Sequence, residues 1–524
     1  MAIKRYFATK DNTITNAFKS NLTTRGTSSN MGQSDVLEVF SIYGQASSSS
    51  GLSAELARVL IEFDTTDVVA DRTAGDIPTS GSVSFYLKMY NAKHGQTLPK
   101  SYTMEIKAVT GSTGTREWEE GFGLDMEGYT DSTAGSTGSN WINRKSATAW
   151  TTQGGDYANP DTDLSSSFTQ AFDDGTEDLE VDVTTLVEQW LNHTNNVLGV
   201  KNNYGFGVML SSSHEAESRS YYTKKFFARG SEFFFKRPVL EARWDSRDLD
   251  NRGNFIYSSS LATADENLNK IYLYNYFRGQ LRNIPGIGTG NIYVSLFSGS
   301  ADDSAPSGSA LELVVDGTHV TDASRNRVVT GSYLSTGIYT ANVALTAATT
   351  PLETVYDVWF SGNDSIADAT GDGNTQFDQY HTGSITPSTV DSYEVAPSDK
   401  FVTNITNLKP AYSTSESARF RVFVRSKDWC PTVYNVASKV AENTEIESGS
   451  YKIFRIIDEL DVVPYGTGSD LHTAMSYDMS GNYFDLDMSM LQEGYMYGVK
   501  FTYYNNSIGD WIEQPEVFKF RVEK

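Results

Sequence analysis

The sequence predicts an all-β protein made of three tandem β-sandwich domains. Tyr, Phe, Val, Thr and Ser are abundant among its 524 residues and 42 residues are Gly, a composition that favours short strands joined by turns. Apolar and polar residues alternate in several stretches, whereas no 3.6-residue period continues beyond a few turns. Because single cores stop growing at roughly 250–300 residues, a chain of this length is expected to divide into domains.

Charge and cysteine content exclude several classes of protein. The chain has 42 Lys and Arg against 66 Asp and Glu, a formal net charge of −24, which opposes nucleic-acid binding. The single cysteine, Cys430, rules out an intrachain disulfide. The opening MAIKRYFATK lacks the apolar stretch of a signal peptide, and no run of about 18 apolar residues follows. We therefore expect synthesis in the cytoplasm and no membrane partner.

The first predicted domain covers residues 1–245 and is expected to be a large jelly-roll-like sandwich. Alternation in the segment SVSFYLKMY puts four apolar side chains on one face of a strand, Val83, Phe85, Leu87 and Met89. In VDVTTLVEQWLNH, helical spacing predicts one short helix with Thr184 as its N-cap; its apolar positions are Val183, Leu186, Val187, Trp190 and Leu191. Two Ser/Gly-rich stretches, Ser47–Glu55 and Asp131–Asn140, are predicted to be surface loops that contact a neighbouring subunit.

Composition predicts two more domains after the first. The charged stretch DSRDLDNRGN places a linker at residues 246–254. An immunoglobulin-like β-domain is expected over residues 255–397, from strands such as NIYVSLFSG and VYDVWFSG. A C-terminal β-sandwich is expected over residues 398–524, where RFRVFVRS directs Phe420, Val422 and Val424 to one face.

A series of motifs runs along the first domain in a fixed order. The series is ATKDNTITNA, NMGQSDVLEVF, RVLIEFD, SVSFYLKMY, REWEEG, NWINRKSATAW, VTTLVEQWLN, YGFGVML and RPVLEARW. In this order and spacing, the domain resembles the DNRLRE family of β-sandwich modules, which are related to carbohydrate-binding modules found beside polysaccharide lyases. The whole chain resembles structural proteins of contractile-tailed phages of cyanobacteria and related marine hosts, in which such an opening precedes an immunoglobulin-like and a β-rich C-terminal domain.

The sequence predicts no catalytic, cofactor-binding or metal-binding residues, and no cofactor. The Gly-rich segment DATGDGNTQFD offers oxygen ligands at Asp368, Asp372, Asn374 and Asp378, but it lacks the register of an EF-hand loop and is predicted to be a solvated surface loop. No Gly-x-Ser-x-Gly elbow is present. Six histidines show no spacing typical of zinc sites: His94, His193, His214, His319, His381 and His472.

Acidic and aromatic clusters leave two interpretations open. Glu117, Glu119 and Glu120 beside Trp118 resemble the carboxylate pairs of glycosidases, but a packing role is favoured because adjacent carboxylates alone predict no raised pKa. Aromatic clusters could stack on sugar rings or serve as core and interface residues, and the second reading is favoured. These clusters are Tyr221–Tyr222, Phe226–Phe227, Phe233–Phe235 and Tyr272–Phe277.

Together these features predict a non-enzymatic virion structural protein of a tailed bacteriophage, placed in the neck, tail, baseplate or capsid-associated part of the particle. Its expected partners are other virion proteins and further copies of itself. The main alternative is a host-recognition adhesin that binds glycan through the first domain, and a third hypothesis is a polysaccharide lyase or hydrolase. Met and aromatic residues of residues 398–524 predict that this domain anchors the protein to the particle, unless they fill its own core.

Overall fold

The computed structural model describes most of the chain and divides it into two compact units, Met1–Asp245 and Ser246–Lys524. The described residues are 2–19, 21–43, 54–95, 99–110, 117–124, 138–191, 197–217, 221–299, 307–315, 318–319, 327–362, 379–390, 400–427, 429, 433 and 443–524. The candidate calcium loop and Cys430 lie outside these residues, as do most of the two Ser/Gly-rich stretches.

The first unit is a sandwich of two antiparallel sheets. Its strands are β1 Ile3–Phe7, β2 Lys10–Thr15, β3 Val36–Tyr43, β4 Ala54–Glu62, β5 Ser84–Met89, β6 Tyr102–Ala108, β7 Asn143–Lys145, β8 Thr148–Ala149, β9 Ser167–Phe172, β10 Leu179–Asp182, β11 Phe206–Leu210, β12 Tyr221–Phe227 and β13 Val239–Arg243. One sheet has the order β1-β13-β5-β10, and the other has the order β12-β3-β4-β11-β6-β9 with β2 on β4. Side chains of both sheets meet in one core, among them Phe85, Leu240, Val59 and Val208.

The predicted alternation of β5 is confirmed on its apolar face. Val83, just before the strand, is 4% exposed, and Phe85, Leu87 and Met89 are fully buried. The opposite face differs from a simple solvated surface, because Lys88 is only 7% exposed. Its Nζ lies 3.2 Å from a carboxylate oxygen of Glu180 on β10, so an ion pair lets the lysine be buried.

Three short helices accompany the sandwich: α1 Thr66–Ala74, α2 Thr184–Trp190 and α3 Ser212–Glu215. The predicted helix is α2, and its apolar residues Leu186, Val187 and Trp190 lie in the core. The predicted N-cap is wrong, because the N-cap position is Val183. The Thr184 hydroxyl instead donates to Asp182 Oδ1 at 2.6 Å and accepts from the backbone N–H of Phe85 at 2.8 Å.

Hydrogen bonds join the two sheets at two places. At the first place, the Gln170 amide of β9 donates to the carbonyl of Asp178 and accepts from the N–H of Glu180, which joins β9 to β10. At the second place, the N–H of Phe227 on β12 donates to the carbonyl of Tyr90, just after β5, at 3.0 Å. These bonds occupy part of the β9 and β12 edges, whereas β1, at the end of the four-stranded sheet, has β13 as its strand partner.

The second unit contains further β-sheets. Its strands are β14 Asn269–Tyr274, β15 Tyr276–Phe277, β16 Gln280–Leu281, β17 Ile292–Gly299, β18 Ser307–Ala310, β19 Val314–Val315, β20 Thr318–His319, β21 Val329–Ser335, β22 Ile338–Val343, β23 Val355–Phe360, β24 Gln379–Ile385, β25 Phe401–Ile405, β26 Ala411–Ser413, β27 Ser417–Ser426, β28 Gly449–Arg455, β29 Leu460–Val463, β30 Ser476–Asp478, β31 Gly481–Asp487, β32 Met496–Asn505, β33 Asp510–Glu513 and β34 Phe518–Glu523. The larger sheets have the orders β14-β22-β21-β17-β23-β24, β25-β27-β31-β30 and β26-β34-β32-β28-β29. The chain is therefore nearly all β with several β-sandwich domains, and the predicted fold class is confirmed.

The first of these sheets curls around its own core. Ile271 from β14 and Ile385 from β24, at opposite ends of the strand order, belong to one buried cluster with Trp359. In the C-terminal sheets, Phe420, Val422 and Val424 of β27 are at most 1% exposed, as their alternation predicts. These apolar faces supply most of the free energy that holds each part together.

Residues 246–254, which the sequence interprets as a linker, pack inside the second unit. Leu249 forms a parallel β-bridge with Tyr477, and the N–H of Asp248 donates to the Ser476 hydroxyl at 3.1 Å. Arg252 pairs with the fully buried Asp357 of β23 through two 2.6 Å contacts. We call residues 246–254 the strap, because it is bonded both to the β14–β24 sheet and to the C-terminal sheets.

Most Met and aromatic residues that predicted an anchoring role of residues 398–524 fill the core of that region. Those at most 5% exposed are Met475, Met488, Met490, Tyr483, Phe484, Tyr497 and Tyr503. Met479, Met496 and Tyr504 remain exposed. Burial within the unit accounts for most of the pattern, so the pattern no longer supports anchoring by this region.

Candidate functional site

The carboxylates around Trp118 belong to a bonded cluster in the first unit. Trp118 is 1% exposed and its indole N–H donates to the carbonyl of Tyr204 at 2.9 Å. A carboxylate oxygen of Glu120 accepts from Arg229 Nε and from the N–H of Asp11, both at 2.8 Å. Burial, together with the nearby Glu120, raises the pKa of Asp11 to about 7. These contacts join β2, residues 117–120 and the end of β12, as a packing role requires.

The histidines within the described part of the chain lie apart from one another. His94 has both ring nitrogens against backbone carbonyls, of Ala92 at 2.8 Å and Thr223 at 3.2 Å, and so bridges β12 to the chain after β5. The Nδ1 atom of His214 lies 2.5 Å from the Ser211 hydroxyl. Among the described residues, no three His, Cys, Asp or Glu side chains are grouped as a metal ion would require.

A polar cavity of about 430 Å³ opens on the first unit. Its wall includes Arg58, whose guanidinium donates to both carboxylate oxygens of Glu215 and to the carbonyl of Gly154 at 3.0 Å. Despite the cost of burial, Glu215 keeps the pKa of Arg58 above its ordinary value. The remaining lining residues are Glu105, Lys107, Thr110, Thr151, Thr152, Gly155, Asp156, Tyr157, Ala158, Met209, Leu210 and Ser212.

The tryptophans beside this cavity are packed away from solvent. Trp141 and Trp150 are 6% and 5% exposed and share a cluster with Trp118 and Leu60. Leu60 alternates with the core residues of β4, so the cluster covers the outer face of the larger sheet. These indole rings therefore offer no open stacking platform for a sugar.

The aromatic clusters singled out in the sequence separate into core and surface residues. Tyr222, Phe226 and Tyr272 are at most 4% exposed. By contrast, several members project into solvent, with exposures of 47% for Tyr221, 53% for Phe233, 61% for Tyr276 and 52% for Phe277. Alternation along one strand explains the first pair, since Tyr221 and Tyr222 are neighbours on β12 and point to opposite faces.

A phenylalanine patch on the first unit combines the exposed Phe7 and Phe233 with the partly buried Phe227, Phe234 and Phe235. Ring centroids lie 5.2 Å apart for Phe7 and Phe234, 5.4 Å for Phe227 and Phe233, and 5.2 Å for Phe234 and Phe235. Phe7 is 37% exposed. The rings of Phe7 and Phe233 thus leave apolar area in water at this surface.

A network of buried charges lies on the face of the four-stranded sheet opposite the core. Glu241 on β13 is fully buried and accepts from Arg5 Nε at 2.6 Å and from Arg243 Nε at 2.7 Å. Lys88 lies 3.8 Å from the same carboxylate. Burial alone would raise the pKa of Glu241, but the three cations lower it to about 2. Sequence reasoning missed this network, because strand alternation predicts a solvated face here.

In the strap, by contrast, a buried carboxyl group lies near other carboxylates. Asp250 is 3% exposed, and burial together with the nearby Asp478 and Asp357 raises its pKa to about 6, against the opposing effect of Arg252. Burial and the charges of Asp250 and Asp478 also raise the pKa of Glu445 to about 7. Burial and the neighbouring carboxylates therefore favour the protonated forms of Asp250 and Glu445.

No helix among the described residues is both long and apolar enough to span a lipid bilayer. No family model matches the sequence, and no curated protein matches it.

Several solved structures match about half of the chain at low identity and low TM-score. Fibronectin(III)-like modules of Clostridium thermocellum CbhA are 8% identical, with a TM-score of 0.14, and the match covers 48% of this chain and 85% of that one. The Ig1-2 module of the Drosophila receptor protein tyrosine phosphatase DLAR is 8% identical, with a TM-score of 0.13, over 49% and 91% of the two chains. The titin domains z1z2, in a complex with telethonin, are 14% identical, with a TM-score of 0.12, over 45% and 81%.

Proposed function

We propose that the chain is a non-enzymatic structural protein of a tailed bacteriophage particle, where it acts by docking on other virion proteins and on further copies of itself. One observation carries the proposal. Glu120, one of the carboxylates that resemble catalytic residues, is bonded to Arg229, while exposed side chains include clustered aromatics. Clustered aromatics at a surface serve recognition rather than chemistry.

The phenylalanine patch is the docking surface that the first unit supplies. Phenylalanine has no hydrogen-bonding group, so its exposure gains nothing in water and favours burial against another protein. The resemblance of the whole chain to structural proteins of contractile-tailed phages supports a place on the virion.

Detection of the chain on intact particles tests this proposal. Gold-labelled antibodies against residues 1–245 should decorate purified particles of the phage that encodes the chain, at one repeated position. Antibody absorbed beforehand with the purified protein is the control. Particles that carry no label and yield no peptides of the chain by mass spectrometry would refute the proposal.

A second candidate function, glycan recognition for host attachment, is favoured by the polar cavity beside Arg58. Its hydroxyl and charged lining suits a hydroxylated ligand of one or two sugar rings, while the burial of Trp141 and Trp150 speaks against stacking. A glycan array probed with the full chain and with Thr152→Val would decide. Binding that saturates and weakens at least about tenfold in the variant supports this function, and no saturable binding rejects it.

A further inference from the structure

A lysine occupies an apolar position in the core-facing row of β12. Alternation along this strand turns Tyr222, Lys224 and Phe226 toward the core, and the three are at most 4% exposed. The Nζ atom of Lys224 lies 5.0 Å from the centre of the Phe172 ring and 5.1 Å from that of the Phe226 ring. Because a charged amine loses its hydration in such surroundings, burial favours the uncharged amine.

Three oxygen atoms surround the buried amine. Lys224 Nζ donates to the backbone carbonyls of Gly175 at 3.1 Å and of Glu177 at 2.6 Å. Its third partner is the side chain of Asn91, whose Oδ1 lies 2.9 Å away. Burial lowers the pKa of Lys224 to about 8, against the opposing charges of Glu177 and Asp178. When the amine loses the proton directed at Asn91, the two backbone carbonyls still accept its remaining N–H groups, which leaves its lone pair toward the Asn91 carboxamide.

Backbone contacts hold Asn91 beside β12. Asn91 forms an antiparallel β-bridge with Phe226, and its N–H donates to Asp178 Oδ1 at 2.7 Å. The N–H of Ala92 donates to the carbonyl of Lys225 at 2.9 Å. The amine and the carboxamide therefore meet without any rearrangement of the backbone. Fixed proximity of this kind accelerates reactions that are slow between separate molecules.

A carboxylate with an unpartnered oxygen lies close to this pair. Glu177 Oε1 accepts from the N–H groups of Asp173 and Asp174, both at 2.7 Å. Its Oε2 atom is buried and has no hydrogen-bond partner within the described part of the chain. Of the two carboxylates whose charges act on Lys224, Glu177 acts more strongly. The Glu177 carboxylate can therefore accept a proton from a reacting group and return it.

We propose that the Lys224 amine and the Asn91 carboxamide join in an amide cross-link with release of ammonia. The Nζ atom of the uncharged amine attacks Cγ of Asn91 and forms the new C–N bond. The Glu177 carboxylate takes a proton from the attacking nitrogen and gives it to Nδ2, so that the Cγ–Nδ2 bond breaks and ammonia leaves. No atom is oxidised or reduced, and no further reactant is consumed.

The cross-link ties β12 of the larger sheet to the segment after β5 of the four-stranded sheet. The two joined residues are 133 positions apart in the chain, so closing this span removes conformational freedom from the unfolded state. With Cys430 as its single cysteine, the chain has no intrachain disulfide to serve the same purpose. An amide bond also survives in a reducing compartment, where disulfides are rare.

Mass spectrometry of the purified full chain tests this cross-link. After incubation at about pH 9, where an amine with a pKa of about 8 is mostly uncharged, the intact mass should lie below the sequence mass by one ammonia molecule. A tryptic digest of the denatured chain should then contain a branched peptide that joins Asn91 to Lys224. This peptide should be absent in Lys224→Met and should form at least about tenfold more slowly in Glu177→Gln.

Lys225→Met is the matched control, because Lys225 is the next residue on β12 and pairs with Glu38 instead. It should form the branched peptide at the wild-type rate. A wild-type chain that keeps its full sequence mass would overturn the inference, whether or not the variants fold. So would a loss of ammonia without the branched peptide, because an asparagine that closes a succinimide ring on its own backbone also releases ammonia. Equal rates in Glu177→Gln and the control would overturn the role of Glu177 as proton carrier.

Discussion

Glu241 in the first unit and Asp250 in the second are carboxyl groups with nearly the same burial, at 0% and 3% exposure, yet their pKa values shift in opposite directions. Glu241 has a pKa of about 2 because Arg5, Lys88 and Arg243 surround it. Asp250 has a pKa of about 6 because burial and acidic neighbours outweigh Arg252. The comparison shows that burial sets the scale of the electrostatic energy, while the sign of the neighbouring charge decides its direction.

The difference traces to how each region uses its arginines. In the first unit, Arg5 and Arg243 converge on a single carboxylate. In the second unit, both terminal nitrogens of Arg252 bond to Asp357. The pKa of Asp357 is lowered, because Arg252 favours the ionised carboxylate more than burial disfavours it. Arg252 is thus already paired with Asp357. Its positive charge therefore stabilises the ionised form of Asp250 only in part.

Removing the charge of Glu241 should have the largest effect on stability. Glu241→Gln leaves Arg5 and Lys88 buried with less compensation, and loss of one partner of a buried ion pair costs about 3–5 kcal/mol. Hydrogen exchange of β13 amides in the full chain measures the change, with β27 amides of the second unit as an internal reference. A loss of protection below about 1 kcal/mol on β13 would contradict the assigned role of this network.

Asp250 should make the strap less stable as pH rises. An ordinary aspartate has a pKa near 3.9, so between about pH 4 and 6 the folded strap holds a proton that the unfolded chain releases, and stability falls with rising pH. Below about pH 4 both states are protonated and the penalty vanishes. Asp250→Asn should therefore add about 2 kcal/mol of protection to residues 246–254 at pH 7.5 and almost none at pH 4.

Hydrogen exchange at the two pH values, corrected for intrinsic exchange rates, measures this difference in the strap. Asp248→Asn is not a suitable control, because burial raises the pKa of Asp248 as well. Asp182→Asn on the first unit, an exposed aspartate, should leave strap protection unchanged at both pH values. A gain in Asp250→Asn that is the same at pH 4 and pH 7.5 would exclude titration of Asp250 as its cause.

Glu180 should show the smallest effect. It contacts Lys88 and Arg243 of the same network as Glu241, but its side chain is 41% exposed. Because water screens a half-exposed pair, Glu180→Gln is expected to cost at most about 1 kcal/mol on β10 and β13. If Glu180→Gln lowered the hydrogen-exchange protection of these strands as much as Glu241→Gln does, solvent exposure would not explain the difference between the two carboxylates.

Local pattern was sufficient for the apolar faces of strands and for one helix. Phe85 and Leu87 on β5 and Val422 on β27 lie where period-two alternation predicts, and α2 begins within a residue of the expected position. The N-cap was wrong because the Thr184 hydroxyl has a partner on β5, the N–H of Phe85, that is distant in sequence. A contact of this kind leaves no trace in the local spacing of residues.

Predictions made from residue polarity alone were wrong where polar residues are buried. The stretch Asp131–Asn140 was predicted to be a surface loop, yet Ser139 and Asn140 at its end are at most 1% exposed. The carbonyl and hydroxyl of Ser139 accept from the Asn12 amide at 2.9 and 2.7 Å. The sequence analysis also did not identify the hairpin Tyr276–Leu281, although Gly279 in its turn is a signal that could have found it.

The sequence by itself determined the all-β architecture, the faces of the main strands and the acidic net charge, because burial of apolar side chains follows a local period. The tertiary structure alone decided which charges were buried together and which aromatic rings remained in water. Arg5 and Glu241 lie 236 positions apart in the chain, and Arg252 and Asp357 lie 105 apart. Electrostatic energy depends on distances of a few ångströms between such groups, and only the packing of sheets sets those distances.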